Sequence, residues 1–137
     1  GEGQFGRAVS LSDDGDILAI GAPDKDNSTG QGSAYIFEYN GTEWNSLGNP
    51  IHGDEDVEHV EWFGEALEIS SDGNRVVVGA FLSCSSRYGR VGLYQYDGND
   101  SWIQVGGDLY GEARNDRFGY SVALSGDGEI LAAGAFV

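Results

Sequence analysis

The chain has 137 residues, enough to bury a sizeable core if the fold closes on itself, and its 23 acidic against 7 basic side chains give a formal charge of -16. The bases, Arg7, Lys25, Arg75, Arg87, Arg90, Arg114 and Arg117, never form a run, which makes nucleic-acid backbones and anionic lipid surfaces poor partners and leaves the acidity to solubility, cations or a basic partner. There is no Met, no basic-then-apolar leader and no apolar stretch near the roughly 18 residues of a membrane span, so a mature or internal piece without membrane insertion is expected.

In chain order, Val9 and Leu11 alternate with polar neighbours, and Ser12-Asp13-Asp14-Gly15 supplies a turn into the apolar run Ile17 to Ile20. A run apolar on both faces suits a strand held between two sheets. After the polar segment from Asp24 to Gly32 comes an alternating stretch, Ala34 to Tyr39, then an Asn40-Gly41 hairpin turn and an outer strand carrying Trp44. No stretch keeps a helical period, and 23 glycines punctuate the chain, so the fold class expected is all-β with about ten strands.

The unit then repeats. Phe5-Gly6-Arg7-Ala8-Val9-Ser10-Leu11 aligns without a gap on Phe63-Gly64-Glu65-Ala66-Leu67-Glu68-Ile69 and on Phe118-Gly119-Tyr120-Ser121-Val122-Ala123-Leu124, at spacings of 58 and 55 residues. Each is followed by a turn with Asp-Gly and an apolar strand ending in Gly-Ala, at Gly21-Ala22, Gly79-Ala80 and Gly134-Ala135. Trp44 and Trp102 each lie 39 residues after their Phe, and Gly53 and Gly111 each lie 48 after it. Four short strands per unit describe a propeller blade, and the expected division is residues 1–58, 59–113 and the first half of a third blade at 114–137. A ring of four to eight such blades needs on the order of 220 to 450 residues, so these units are expected to belong to a larger ring.

Phe-Gly opening the unit and Gly-Ala-Pro closing its second strand, complete at Phe5-Gly6 and Gly21-Ala22-Pro23, resemble the FG-GAP repeats of integrin α-subunit heads. Phe81 and Phe136 replace the proline in the other units. The resemblance implies a β-propeller of an extracellular or cell-surface protein, with calcium often held in an Asp-rich loop between the first two strands. Here that loop is only Ser12 to Asp16, or its counterparts at Ser71 to Asn74 and Gly126 to Glu129, too short for alternating calcium ligands and suited to a tight Asp-Gly hairpin turn. A second calcium candidate is Asp24, Asp26 and Ser28, in alternation before Gly30, against an ordinary polar loop. The acidic connector from His52 to His59 holds both histidines without a recognised ligand spacing.

No catalytic signature stands out, and the chain is read as not an enzyme, with a hydrolase the remotest of the readings. Three glycosylation sequons begin at Asn27, Asn40 and Asn99, the last two in corresponding turns. The lone cysteine, Cys84, excludes an internal disulfide and a Cys-rich zinc site, and in a secreted protein is a candidate for an intermolecular one. The leading function is a non-catalytic structural, adhesion or protein-interaction module, whose partners are other proteins or further blades. The alternative is a lectin-like propeller binding glycans or small ligands, with Tyr35, Tyr39, Tyr94, Tyr96, Trp44 and Trp102 as stacking faces; packing between strands and blades is the plainer use of those rings.

Overall fold

A computed structural model describes residues 4–23, 31–54, 61–82 and 88–136, and every regular element among them is a β-strand. The first unit contains β1 (Ala8–Leu11), β2 (Ile17–Ala22), β3 (Ser33–Tyr39), β4 (Trp44–Ser46) and β5 (Ile51–His52). They form one antiparallel sheet in the order β1-β2-β3-β4, with β5 also paired to β3. The second unit repeats this with β6 (Ala66–Ile69), β7 (Arg75–Ala80), β8 (Arg90–Tyr96), β9 (Trp102–Gln104) and β10 (Leu109–Tyr110). The third contributes the hairpin β11 (Ser121–Leu124) and β12 (Leu131–Gly134).

The hairpins follow from their turn residues. Gly15 N–H donates to the Ser12 carbonyl at 3.0 Å, and the Ser12 hydroxyl accepts from the Ile17 amide at 2.9 Å while donating to Asp14 Oδ1 at 2.6 Å. The same bonds recur from Ser70 to Asp72 and the Arg75 amide, and from Ser125 to Asp127 and the Ile130 amide. These turns are therefore the tight hairpins that the short loops predict. At the outer turn, Asn40 Oδ1 accepts from the amides of Thr42 and Glu43, an Asx closure at 2.9 and 3.0 Å.

Twelve strands occupy the described residues where about ten are expected, because the outer strand of each blade is split. β4 pairs with Phe37 to Tyr39 and β5 with Ser33 and Ala34. Between them Gly48 turns left-handed at φ 75° and Pro50 offers no N–H to the ladder, so pairing lapses and resumes. In the second unit Gly106 breaks the strand in the same way at φ 72°.

The sheets stack face to face, and the core lies between the first two. Ile17, Ala19, Ala34 and Ile36 of the first sheet meet Leu67, Ile69, Val76 and Val78 of the second. β7 is buried on both faces, with Val76, Val77 and Val78 fully covered; each such side chain contributes about 1.5–3 kcal/mol relative to exposure. The architecture is a β-propeller fragment of two blades and the inner half of a third.

Candidate functional site: the seam between units

Phe63 is fully buried although it stands at the start of its blade, because its seat belongs to the blade before. Gly32 bridges to Phe63 in parallel, and a Cβ at Gly53 would fall 2.8 Å from that of Phe63. Gly64 follows at φ 91°, a left-handed conformation that leaves its carbonyl lying on Gly21. A Cβ on Gly21 would overlap that oxygen. The Phe-Gly of one unit and the Gly-Ala of the previous unit are thus two halves of one joint. Phe118-Gly119 repeats it against Gly79, Gly89 and Gly111.

Polar bonds hold the same seam. The Ser10 hydroxyl accepts from the Ile69 amide at 3.1 Å, and one seam later Glu68 Oε2 accepts from the Leu124 amide at 2.7 Å. The hairpin turns are tied in a row, Asp13 N–H to the Ser71 carbonyl at 3.0 Å and Ser71 N–H to that of Gly126 at 2.8 Å. Arg7 pairs with Glu65 at 2.6 Å across the first seam, a bond that raises the Arg7 pKa, and Arg75 reaches Glu129 at 2.7 Å across the second.

Under the first seam lies a buried charge cluster. The Arg90 guanidinium donates to Glu61 and, at 3.0 Å, to Asp108, and lies 5.2 Å from the centre of the Phe63 ring. Glu61 also accepts the Asp54 amide at 2.6 Å, which carries the cluster back to the first unit. Burial pushes the Glu61 carboxyl above its ordinary value, against the pull of Arg90. Burial also works against the charge on Arg90, yet Glu61 and Asp108 raise its pKa. The neighbouring Tyr94 hydroxyl is pushed up to about 12 by burial. No motif announces this cluster; the available signal is that an acid stands two residues before Phe63 and again, as Asp116, before Phe118.

Of the residues singled out from sequence, Asn40 and Asn99 are exposed in their turns. Asn27, the calcium candidates Asp24, Asp26 and Ser28, and Cys84 lie outside the described residues, as do residues 55–60 of the acidic connector. His52 Nδ1 is bonded to the Ser33 hydroxyl at 2.8 Å. Among the described residues no three His, Cys, Asp or Glu side chains converge as a metal site. The turn carboxylates Asp14, Asp72 and Asp127 are held below their ordinary value by the serine hydroxyl and then by the amide two residues on. The aromatic rings divide: Trp102, tilted on Tyr96 at 5.3 Å, donates Nε1–H to the Leu47 carbonyl at 2.9 Å, and Tyr94 packs edge-on to Phe63. Tyr39 and Trp44 make the same ring pair on an exposed face.

Residues 2–37 match the family model described as FG-GAP repeat. The matched stretch runs from before Phe5-Gly6 through Gly21-Ala22-Pro23 into β3, so it covers the residues that carry the resemblance. No curated protein matches the chain.

Proposed function

We propose that the chain is a non-catalytic structural and protein-interaction module of a β-propeller that works in an extracellular or cell-surface assembly, its partners being other proteins or further blades. The observation that carries this reading is the seam: the same joint is built twice within the chain, and its Phe-Gly recurs at Phe5-Gly6, where the Phe5 ring rests edge-on against Tyr35 and Phe37 of its own blade. There Phe5, Val9 and Leu11 form an exposed apolar face, and Gly6 has the same left-handed turn as Gly64 with open space before it. FG-GAP repeats are typical of cell-surface proteins, and exposed Asn40 and Asn99 in matching turns suit a glycosylated surface.

The lectin-like alternative rests on Tyr39 and Trp44, since Tyr96 and Trp102 already serve the seam. A photo-crosslinking residue at position 9 of the native protein, combined with glycopeptide mapping, tests the main reading. Cross-links from that face to another protein or blade, with glycan on Asn40 or Asn99, are expected. Bare asparagines and a face that cross-links only to solvent would count against it.

A further inference from the structure

The outer turns of the two units are built alike but close on different atoms. They run from Tyr39 to Trp44 and from Tyr96 to Trp102, and in each the residue after the tyrosine gathers the turn's amides onto its side chain. In the first unit this is Asn40, whose Oδ1 accepts from the amides of Thr42 and Glu43 at 2.9 and 3.0 Å. In the second it is Asp97, whose Oδ1 accepts from those of Asn99 and Ser101 at 2.7 and 3.1 Å. A glycine follows each, at φ 94° for Gly41 and 79° for Gly98, with open space where a Cβ would stand.

Asn40 differs from Asp97 in carrying an amide that can be lost. Loss begins when the main-chain nitrogen of the next residue attacks the side-chain carbon, which requires an unengaged nitrogen, an uncrowded next residue and a polarised carbonyl. All three meet at Asn40. Among the described residues Gly41 N–H donates to no acceptor, and Gly41 has no side chain to block the approach. The two amides on Oδ1 stand where negative charge develops during the attack, as the donors of an oxyanion hole do. The turn is exposed, so water reaches it. No other described asparagine combines these features. Asn49 precedes Pro50 and Asn45 lies within β4. After Asn99, Asn74 and Asn115, the N–H groups of Asp100, Arg75 and Asp116 donate to the Tyr96 hydroxyl, the Ser70 hydroxyl and the Ala113 carbonyl.

We propose that Asn40 is a site of spontaneous deamidation through a cyclic imide formed with Gly41. The Gly41 nitrogen bonds to Cγ of Asn40 and gives its proton to solvent, while Nδ2 takes up a proton and leaves as ammonia as its bond to Cγ breaks. Water then opens the ring at either carbonyl. Breaking the bond from the Gly41 nitrogen to Cγ gives an aspartyl residue, and Asp97 shows that a carboxylate closes this turn. Breaking the bond from that nitrogen to the main-chain carbonyl carbon gives an isoaspartyl residue, whose main chain runs through Cβ and Cγ. The amides of Thr42 and Glu43 then lose their acceptor, and the pairing of Tyr39 with Trp44 loosens. Either product erases the sequon, and a glycan on Nδ2 occupies the atom that must leave, so the two modifications compete. That competition rests on the glycosylated-surface reading; the deamidation does not.

The test incubates the unglycosylated 137-residue chain, its fold checked by circular dichroism, beside a free peptide of residues 38–44 in mildly alkaline buffer. Peptide mapping reads the amide-to-acid mass gain and the isoaspartate content at each asparagine. Conversion at Asn40 is expected to run about tenfold or more ahead of Asn45, Asn49, Asn74, Asn99 and Asn115, at a rate matching or exceeding that of the peptide, and to slow about tenfold or more in Gly41→Ala. Thr42→Ala, which keeps the amide donor and removes only the sequon, should leave the rate unchanged. An intact Asn40 after the peptide has converted, faster conversion at another asparagine, or a rate indifferent to Gly41→Ala overturns the proposal. In the glycosylated native protein, the molecules with glycan on Asn40 are expected to show no conversion there; conversion beneath the glycan would overturn the competition. Bare asparagines in the native protein would remove the glycosylated-surface reading and leave the deamidation standing, whereas failure in the unglycosylated chain removes the deamidation alone.

Discussion

The first and second units contain the same Phe-Gly strand, yet Phe5 is 58% exposed where Phe63 is 0%, and Leu11 is 56% exposed where Ile69 is 5%. Local structure does not separate them, since each strand pairs with its own second strand in the same register. The difference is the neighbour. Phe63 enters a glycine seat supplied by the blade before it, and Phe5 rests half-exposed and edge-on against Tyr35 and Phe37 of its own blade. Burial, and with it stability, belongs to the joints between units, as nearest-neighbour terms do in repeat proteins.

Substitutions at matched positions should therefore have unmatched costs. In the 137-residue chain Phe63→Ala is expected to lower stability by about 3–5 kcal/mol and Phe5→Ala, which loses only edge contacts with Tyr35 and Phe37, by about 1 kcal/mol, read from urea unfolding. Equal effects would break the comparison. Arg90→Ala leaves Glu61 buried without its partner and is expected to cost about 3–5 kcal/mol, against about 1 kcal/mol or less for Arg7→Ala, whose pair with Glu65 reaches the surface. Ser70→Ala removes the hydroxyl that bonds both Asp72 and the Arg75 amide and should cost about 1 kcal/mol.

The pH dependence carries two opposite signs. Asp72 has a lowered pKa, so its contribution is present above its ordinary value of 3.8 and is lost as pH falls through the folded value. Glu61 has a raised pKa, so its contribution is complete below 4.5 and is lost as pH rises through the folded value. Carboxyl titration followed by NMR should place Asp72 below and Glu61 above their ordinary values, and Glu61→Gln should flatten the stability profile above pH 4.5.

Much of this was legible in the sequence, because strand period, Asp-Gly turns and the recurrence of Phe, Trp and Gly are local signals. Trp102 and Tyr94 could be assigned to packing from recurrence alone. The split outer strand was harder to see: Gly48 and Pro50 read as a turn, and only the partner strand shows that pairing resumes at Ile51. The Glu61–Arg90–Asp108 cluster left almost no trace, since its members come from a connector, a strand and a loop, and Arg90 replaces a serine, Ser33, in the first unit. The meaning of the Phe-Gly and Gly-Ala pattern was hidden for a related reason. Its two halves are read within one unit but act on different ones.

That last point is the central claim, and native-state hydrogen exchange on Gly79→Ala tests it most directly. A methyl there meets the Gly119 carbonyl of the next unit, so the inter-unit amides of Ser71 and Leu124 should lose protection while Asp13 and Ile69, bonded across the first seam, keep theirs. Gly107→Ala should change neither. Loss of protection confined to β6 and β7, with Ser71 and Leu124 unaffected, would contradict the account.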